Sequence, residues 1–475
     1  MPVTPRRSLR AWACALPVLL AACGGGGNDA GTTPPPIDCS VAGQQDWLRG
    51  YFKGSATSEP NYFWYGLSPN PSPAGFTSVD AYFDALIYGG GDLIPNGGGA
   101  RWPSDRYSGF QTTESFNRFF GAGRTLGYGV AVAGLEVTEP TPQPTQPLYV
   151  RYVEPLSPTA NAGVVRGDRV MSINGRATAD VISDPSPDRF SALTPSLAGD
   201  QLTLVLRNAL GAERPVTLRA AEFTLTPVQD AKIVLSPNGA SIGYVQVKDM
   251  IDQVNAPLAA AFNTFRANNV QELVLDLRYN GGGLVEVGGA VASYAAGARA
   301  GGAVFARLLY NDRRSNNNRD YVFSDPAQWA GFAKVYVLTG PRTCSASEQV
   351  INGLRGVGVQ VVAIGDTTCG KPVGFLPQGN SCGTTYNVVN FESVNRLNEG
   401  RYFDGFAATC AVAEDFSRAI GSTTDTLLVA AAYHIDNTMC PAGTAAREQP
   451  QSRTSSARKR YTGADGGERT GMSAR

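Results

Sequence analysis

Two side chains in the second half of the chain are of types that together could carry out acyl transfer. Ser345 follows a predicted strand and stands where a helix begins. The backbone N–H groups and dipole at such a helix start favour developing negative charge. Lys371 stands in a loop after another predicted strand. A lysine in a dry cleft beside a serine has a lowered pKa, and its neutral amine can act as a general base. Taken singly, the serine is more often a helix cap and the lysine a solvated charge.

A glycine run supplies a third feature. The string LVLDLRYNGGG (residues 273–283) predicts a buried strand that runs into three glycines. Without side chains in the way, the backbone N–H groups of such a turn can point at a ligand. A flexible loop is the alternative explanation of the glycines alone.

The elements that position these residues indicate an α/β fold over residues 240–446. Near-continuous apolar runs predict buried strands, and periodic segments predict helices. We predict strands at Ser241–Val247, Glu272–Leu277, Lys334–Thr339, Gln360–Ile364, Tyr386–Val389 and near Phe403–Gly405, a helix over Pro257–Asn268, and helix starts at Leu284 and Ser345.

Residues 125–226 have a different pattern, with short alternating strands such as Leu148–Val153 and Leu202–Arg207. The string SPTANAGVVRGDRVMSINGRAT (residues 157–178) resembles a PDZ domain, with a short helix at Ala160–Gly163 and an Asn-Gly hairpin turn. That resemblance implies a fold that binds an extended peptide as an added strand. The loop that offers N–H groups to the peptide carboxylate would be Leu126, Gly127, Tyr128 and Gly129. A Pro-rich stretch, residues 138–147, predicts a long hairpin loop.

Residues 43–124 predict a small, mainly helical domain with long loops. Its dense aromatic residues indicate a core, and we assign them no chemistry. Thr77 or Ser78 is the predicted N-cap of a helix over residues 77–87.

Both ends of the chain have the composition of segments outside the folded domains. Residues 1–22 combine a basic start with an apolar run too short to span a bilayer, which predicts a signal peptide. Leu20-Ala21-Ala22-Cys23 resembles a bacterial lipobox, so Cys23 is the predicted lipidation site. Residues 23–42 would be a Gly/Pro-rich tether and residues 447–475 a disordered tail.

The composition of the chain argues against several kinds of partner and catalytic group. Lys plus Arg and Asp plus Glu each total 40, so no nucleic-acid partner is indicated. The one histidine, His434, lies in a predicted helix end and is a poor candidate for a catalytic base. An even set of six cysteines remains after Cys14 and Cys23, which suggests disulfides of undetermined pairing, namely among Cys39, Cys344, Cys369, Cys382, Cys410 and Cys440. No CxxC pair exists, and we predict no metal and no cofactor.

Together, the strand-NGGG, SASE (residues 345–348) and Gly-Lys strings resemble the carboxyl-terminal processing peptidases, or tail-specific proteases, over most of residues 43–446. The resemblance implies Ser345 as nucleophile and Lys371 as general base. It implies an oxyanion hole from the N–H of Ala346 and one N–H of Gly281 to Gly283, with Gly282 as the first candidate. It also implies supporting roles for Glu348 and Thr368. Phe375 stands where many members have a glutamine, which leaves open what orients the lysine.

The predicted architecture is therefore a helical N-terminal domain, a PDZ domain and a ClpP/crotonase-like α/β catalytic domain (residues 227–446). The predicted function is an exported serine endopeptidase acting on proteins or peptides, lipid-anchored in the cell envelope, at the outer membrane facing the periplasm. A non-catalytic envelope peptide-binding protein and a crotonase-like acyl-CoA enzyme are the alternatives. Cys344 as nucleophile is a further, weaker alternative. Oligomeric state is not indicated.

Overall fold

The computed structural model describes residues 36–133, 147–184, 186, 190–324, 329–444 and 471–474. The predicted signal peptide, Cys23 and most of the tether lie outside the described residues, as do most of the Pro-rich loop and residues 447–470. Of the helices that the structure describes, none has both the length and the apolar character needed to cross a membrane.

The segment before the predicted PDZ region is mainly helical. It contains α1 (Val41–Lys53), α2 (Val79–Leu86), β1 (Gly109–Thr112) and α3 (Thr113–Phe116), followed by a π-helical turn at Asn117–Gly121. Ser78 Oγ accepts the N–H of Ala81 at 3.2 Å, so Ser78 rather than Thr77 caps α2. The aromatic residues are buried, as expected of a core, but the same core includes Phe375 and Tyr386 of the later α/β segment. This helical segment therefore packs directly on the part of the chain that carries Lys371.

The next segment is β-rich. Its elements are β2 (Arg124–Gly127), β3 (Val130–Ala133), β4 (Tyr149–Val153), α4 (Pro158–Asn161), β5 (Arg169–Ile173), β6 (Arg176–Ala177), α5 (Thr178–Ser183), β7 (Gln201–Arg207), β8 (Glu213–Arg219) and β9 (Ala221–Thr224). One sheet has the order β3-β4-β5-β7-β8 with β6 paired to β5, and β2 pairs with β9. Leu202, Leu204 and Leu206 are fully buried on one face of β7, as the two-residue period predicts.

Two local features of this segment test the sequence prediction. The Asn174-Gly175 hairpin is confirmed: both residues have positive φ, and Ile173 pairs with Arg176 across them. The short helix begins at Pro158, earlier than the predicted Ala160, because Ser157 Oγ accepts the N–H of Ala160 and caps it there.

The α/β segment is built on a sheet of order β10-β11-β12-β16-β17-β22, in which β11 to β22 run parallel. Its strands are β10 (Val228–Leu235), β11 (Ser241–Val247), β12 (Glu272–Asp276), β16 (Lys334–Thr339), β17 (Gln360–Gly365) and β22 (Cys410–Ala411). The helices are α6 (Asn255–Ala267), α7 (Val285–Ala296), α8 (Ala346–Gly356) and α9 (Thr426–Asn437).

The helices cover both faces of this sheet. Val335 and Val337 of β16 pack in one buried cluster with Ala346 of α8. Tyr336 and Leu338, which point the other way, pack in another cluster with α9. Double coverage explains why these strands are almost wholly apolar.

A second sheet lies beside the first and has the order β13-β23-β18-β21-β14-β15. Its strands are β13 (Gly282–Leu284), β14 (Val304–Tyr310), β15 (Arg319–Val322), β18 (Val373–Phe375), β21 (Val389–Val394) and β23 (Gly471–Ser473). A small sheet joins β1 to β20 (Thr384–Asn387) and β19 (Gln378–Gly379).

The structure also differs from the sequence prediction in the later part of the chain. The predicted strand Tyr386–Val389 is divided between β20, which ends at Asn387, and β21, which begins at Val389. Residues 403–405 form a turn and not a strand: Gly405 has a φ of 78°, and a Cβ there would lie 2.1 Å from the carbonyl oxygen of Thr368. Within the predicted disordered tail, Gly471–Ser473 forms the strand β23, which we call the tail strand.

Candidate active site

Three loops that carry the predicted chemistry leave neighbouring strands at the same edge of the parallel sheet. β12 leads to the glycine run, β16 leads to Ser345, and β17 leads to Lys371. β16 pairs with both β12 and β17, so the carboxyl ends of the three strands lie side by side. Ligand sites of open α/β sheets commonly lie at this edge.

Ser345 is held in an uncommon backbone conformation directly before α8, with φ 61° and ψ −114°. A positive φ is unfavourable for a residue with a side chain, and such strain concentrates at functional sites. The side chain is fully buried, and its Oγ has no hydrogen-bond partner among the described residues. The hydroxyl is thus left for a reacting group rather than used as a helix cap.

Glu348 connects Ser345 to Lys371. Its Oε2 accepts the backbone N–H of Ser345 at 3.0 Å and that of Lys371 at 2.8 Å. Its Oε1 accepts the N–H of Gly370 at 2.8 Å and the hydroxyl of Thr368 at 2.6 Å. Burial raises the pKa of Glu348, while these hydrogen bonds act in the opposite direction. One carboxylate therefore fixes the backbone of the predicted nucleophile and of the predicted base.

Lys371 has the environment that a neutral amine requires. Its side chain is only 2% exposed. Burial lowers the pKa of Lys371 to about 7, although the carboxylates of Asp105 and Glu348 act to raise it. Its Nζ lies 4.0 Å from the ring centre of Phe375 and 5.6 Å from that of Tyr107. Phe375, at the position where the resemblance led us to expect glutamine, thus forms one apolar wall around the amine.

A disulfide, Cys344–Cys369, bridges the two loops next to these residues. Cys344 directly precedes Ser345, and Cys369 lies two residues before Lys371. With its sulfur in this bond, Cys344 has no thiolate to act as a nucleophile or a metal ligand. The other disulfides of the described chain are Cys39–Cys382 and Cys410–Cys440. The sequence predicted disulfides but left this pairing open.

The glycine run lies at the same edge, and the N–H of its middle glycine has an acceptor within the protein. The N–H of Gly282 donates to Oδ1 of Asn280 at 2.9 Å. The carbonyl of Gly282 and the N–H of Leu284 both bond to the backbone of Met250. Since backbone groups alternate along a strand, the N–H and carbonyl of Gly283 face the opposite way, toward the tail strand. Ala346 is the first residue of α8, where N–H groups have no partner within the helix.

The helical N-terminal segment contributes to the lysine's surroundings. The hydroxyl of Tyr107 donates to the carbonyl oxygen of Gly370 at 2.7 Å. Asp105 is fully buried and accepts the hydroxyl of Tyr62 at 2.7 Å. Sequence reasoning assigned no chemistry to this aromatic segment. One sequence signal could have indicated a role for this segment. The string DRYSGF (residues 105–110) places an acidic residue and an arginine among residues that otherwise indicate a core.

His434 lies away from this arrangement. It is in α9, with its ring 5.5 Å from that of Tyr336. Tyr336 belongs to the cluster on the α9 face of the sheet, whereas Ala346 of α8 belongs to the cluster on the other face. The sheet therefore separates the histidine from Ser345.

The predicted peptide-carboxylate loop is in the β-rich segment. Leu126 and Gly127 end β2, and the side chain of Tyr128 is buried in the core of that segment. The carbonyl oxygen of Tyr128 accepts the hydroxyl of Thr159 at 2.7 Å, and that of Gly129 accepts the N–H of Glu154 at 2.9 Å. These residues thus belong to the β-rich segment and not to the Ser345–Lys371 cluster.

Comparisons with known proteins point to one family. Residues 241–396 match the model of peptidase family S41. The chain is 24% identical over 257 residues to a carboxyl-terminal-processing protease of Picosynechococcus, covering 51% of this chain and 57% of the relative. It is 28% identical over 256 residues to the chloroplastic carboxyl-terminal-processing peptidase 2 of Arabidopsis thaliana, covering 53% and 45%. The chain thus spans about half the length of these curated relatives.

A solved structure extends the likeness over more of the chain. The crystal structure of a Bacteroides fragilis protein assigned to the S41 proteases superposes with a TM-score of 0.61 at 25% sequence identity. The match covers 83% of this chain and 97% of that one. The similarity therefore extends well beyond residues 241–396.

Proposed function

Because residues 241–396 are a peptidase family S41 domain, we propose that this protein is a serine endopeptidase that uses Ser345 and Lys371 as a catalytic dyad. The observation that carries the proposal is the carboxylate of Glu348, which accepts the backbone N–H groups of both residues. The buried, partnerless Oγ of Ser345 and the lowered pKa of Lys371 support it.

The proposed reaction starts with the neutral amine of Lys371. The amine takes the proton from Ser345 Oγ while that oxygen attacks the scissile carbonyl carbon. The bond to the leaving amine then breaks as Lys371 returns the proton to it, which leaves an acyl-enzyme that water hydrolyses. Negative charge on the carbonyl oxygen is stabilised by the N–H of Ala346 and by an N–H of the glycine run. In the described conformation Gly282 donates to Asn280, so we propose that the donor from the run is Gly281 or Gly283.

The remaining parts of the chain suggest how substrates are found. We propose that the β-rich segment is a PDZ domain that binds carboxyl-terminal or apolar parts of protein substrates through the loop Leu126–Gly129. We also propose that residues 1–22 export the protein and that lipidated Cys23 holds it in the cell envelope, at the outer membrane facing the periplasm. The disulfides agree with an oxidising compartment.

The alternative proposal is a non-catalytic envelope protein that binds peptides on the same scaffold. The two proposals differ over the chemistry of one buried lysine. A binding protein has no need for a buried amine of lowered pKa and a buried serine hydroxyl without a partner, because burying such groups costs stability.

The test is digestion of a denatured, apolar-rich protein by the full-length chain and by the chain ending at Ala446. We expect the Ser345→Ala variant to lose cleavage and the Lys371→Ala variant to lose about 10²- to 10⁴-fold in kcat. Ser315→Ala and Lys334→Ala are matched controls outside the site and should cleave normally. Circular dichroism would show that all variants fold. Cleavage that survives Lys371→Ala would exclude the proposed base, and no cleavage by any folded form would favour the binding protein.

A further inference from the structure

The tail strand lies between two strands that border the candidate active site. Gly471, Met472 and Ser473 pair in parallel with Gly282, Gly283 and Leu284 of β13. On its other side, Ser473 pairs with Phe375 of β18, and the N–H of Ala474 donates to the carbonyl oxygen of Phe375 at 2.9 Å. The tail strand therefore joins β13, which contains the last two glycines of the run, to β18, the strand that follows Lys371.

Without the tail strand, β13 and β18 would both present unpaired backbone groups. Among the strands that the structure describes, only the tail strand connects β13 to the rest of the second sheet. Gly283 has a φ of 138°, and a Cβ there would lie 2.2 Å from the carbonyl oxygen of Met250. Glycine at this position therefore allows the close approach of the Met250 backbone, which bonds to β13. Unpaired strand edges are ready templates for an extended peptide.

The tail strand is also held by side-chain burial. Ser473 and Ala474 are each only 2% exposed. Ala474 belongs to a buried apolar cluster with Val285, Leu308 and Phe391. Its methyl group thus fills a small apolar pocket that a peptide substrate would find empty if residues 471–474 were absent.

We propose that residues 471–474 occupy the peptide cleft in cis as a resident inhibitor, in the manner of a substrate strand, and that a substrate must displace them. This inference rests on the proposed function, because it takes the groove between β13 and β18 to be the substrate cleft. It adds a substrate class: an extended segment that pairs through its backbone on both sides and places a small apolar side chain where Ala474 lies. No bond is made or broken in this occupancy.

The binding test is independent of catalysis. A fluorescent peptide of residues 467–475 (GERTGMSAR) is titrated into two Ser345→Ala proteins, one full-length and one ending at Ala446, and anisotropy is measured. We expect saturable binding to the shortened protein, and binding at least about tenfold weaker to the full-length protein, because the resident tail competes at high effective concentration. A scrambled peptide should not bind. Equal binding to both proteins, or binding to neither, would overturn the inference.

The activity test uses proteins with Ser345 present. If the tail occupies the cleft in nine of ten molecules, removing residues 447–475 raises kcat/KM about tenfold. The same peptide should then inhibit the shortened enzyme by raising KM at unchanged kcat. Equal activity of both forms would overturn the inference and leave the proposed function intact. Inactivity of both forms would count against the proposed function, while the binding result would still decide the inference.

Point substitutions guard against a general effect of truncation. Ala474→Pro removes the N–H that bonds to Phe375 and should raise kcat/KM of the full-length chain in the same direction as truncation. Ala474→Gly keeps that N–H and removes only the methyl group, so its effect should be smaller. Mass spectrometry of the intact proteins completes the test. If residues 471–475 are lost from the parent protein but not from the Ser345→Ala variant, the protein cleaves its own tail, and the proposal that the tail is an inhibitor is overturned.

Discussion

At the scale of single residues, the site combines a serine with a strained backbone conformation and a buried lysine whose positive charge would destabilise the folded protein. Ser345 has a positive φ, and Lys371 is among the largest fully buried side chains. Neither feature would help an ordinary globular protein, since each costs stability. Glu348 accounts for how both are retained, because its four hydrogen bonds fix the two loops at once.

The pH dependence of cleavage tests the role of Lys371. The base must be neutral to accept a proton, and the pKa of Lys371 is lowered to about 7 by burial. We therefore expect kcat/KM to rise with pH through about 7 and to level off above it. At pH 5 it should be about a hundredfold below the plateau, since two pH units separate 5 from the pKa. Initial rates on a peptide substrate between pH 5 and 9 measure this.

The comparison for that profile is Lys371→Arg, whose guanidinium stays charged throughout this range. It should be inactive at every pH, and circular dichroism across the range would separate titration from unfolding. A parent profile that is flat, or that falls as the pH rises from 6 to 8, would contradict a lysine base.

At the scale of elements, three loops are positioned by neighbouring parallel strands and then tied by contacts from elsewhere. The disulfide Cys344–Cys369 joins the loops after β16 and β17. The helical N-terminal segment adds Tyr107, which bonds to Gly370 directly before the lysine. Gly370 itself has a φ of 81°, and a Cβ there would lie 2.0 Å from the carbonyl oxygen of Phe403. The lysine loop is thus fixed from several sides.

Tyr107→Phe tests whether the N-terminal segment positions the base. Losing the hydrogen bond to Gly370 should lower kcat by about two- to tenfold with little change in KM, because the loop that carries Lys371 is less well fixed. Steady-state kinetics on a peptide substrate separate the two parameters.

Tyr65→Phe is the matched control, since Tyr65 belongs to the same N-terminal segment and its hydroxyl donates to the exposed Asp312, between β14 and β15. It should leave both parameters unchanged. If Tyr107→Phe changes KM alone, or changes nothing, the segment does not position the base.

At the scale of the whole molecule, the β-rich segment contacts the α/β segment next to the glycine run. Arg166 donates to the hydroxyl of Tyr279 at 2.7 Å and to Glu414 at 2.7 Å. Tyr279 directly precedes Asn280 and the glycines. The fully buried Arg278 pairs with Asp276 and Asp425 at the same place. The β-rich segment therefore contacts a side chain close in sequence to the glycine run.

Arg166→Ala should loosen this contact. We expect faster amide hydrogen exchange in residues 276–284 and 412–418, because Glu414 and Tyr279 lose a charged donor from the other segment. Arg176→Ala removes an exposed pair with Asp184 inside the β-rich segment and should leave those residues unchanged. Identical exchange in the two variants would show that the Arg166 contact does not hold the glycine run.

Much of this arrangement is predictable from the sequence because its signals are local. The strands Ser241–Val247 and Lys334–Thr339 follow from apolar runs that only a doubly covered sheet requires. The start of α8 follows from the spacing of Ser345 and Glu348, in which the carboxylate of Glu348 accepts the N–H of Ser345. β13, β18 and the tail strand are not predictable in this way, since each is three residues long and carries no hydrophobic period.

The sequence by itself therefore determined which residues could react, because reactivity depends on side-chain type and on local turns. These residues are a serine at a helix start, a lysine among glycines and a run of three glycines. Only the tertiary structure decided that Glu348 joins the serine and lysine loops, that Cys344 bonds to Cys369, that Tyr107 reaches Gly370 across 263 residues, and that the N–H of Gly282 donates to Asn280. It also decided that residues 471–473 pair with β13 and β18. These are contacts between segments far apart in the chain, and their energies depend on burial and backbone direction, which no local pattern encodes.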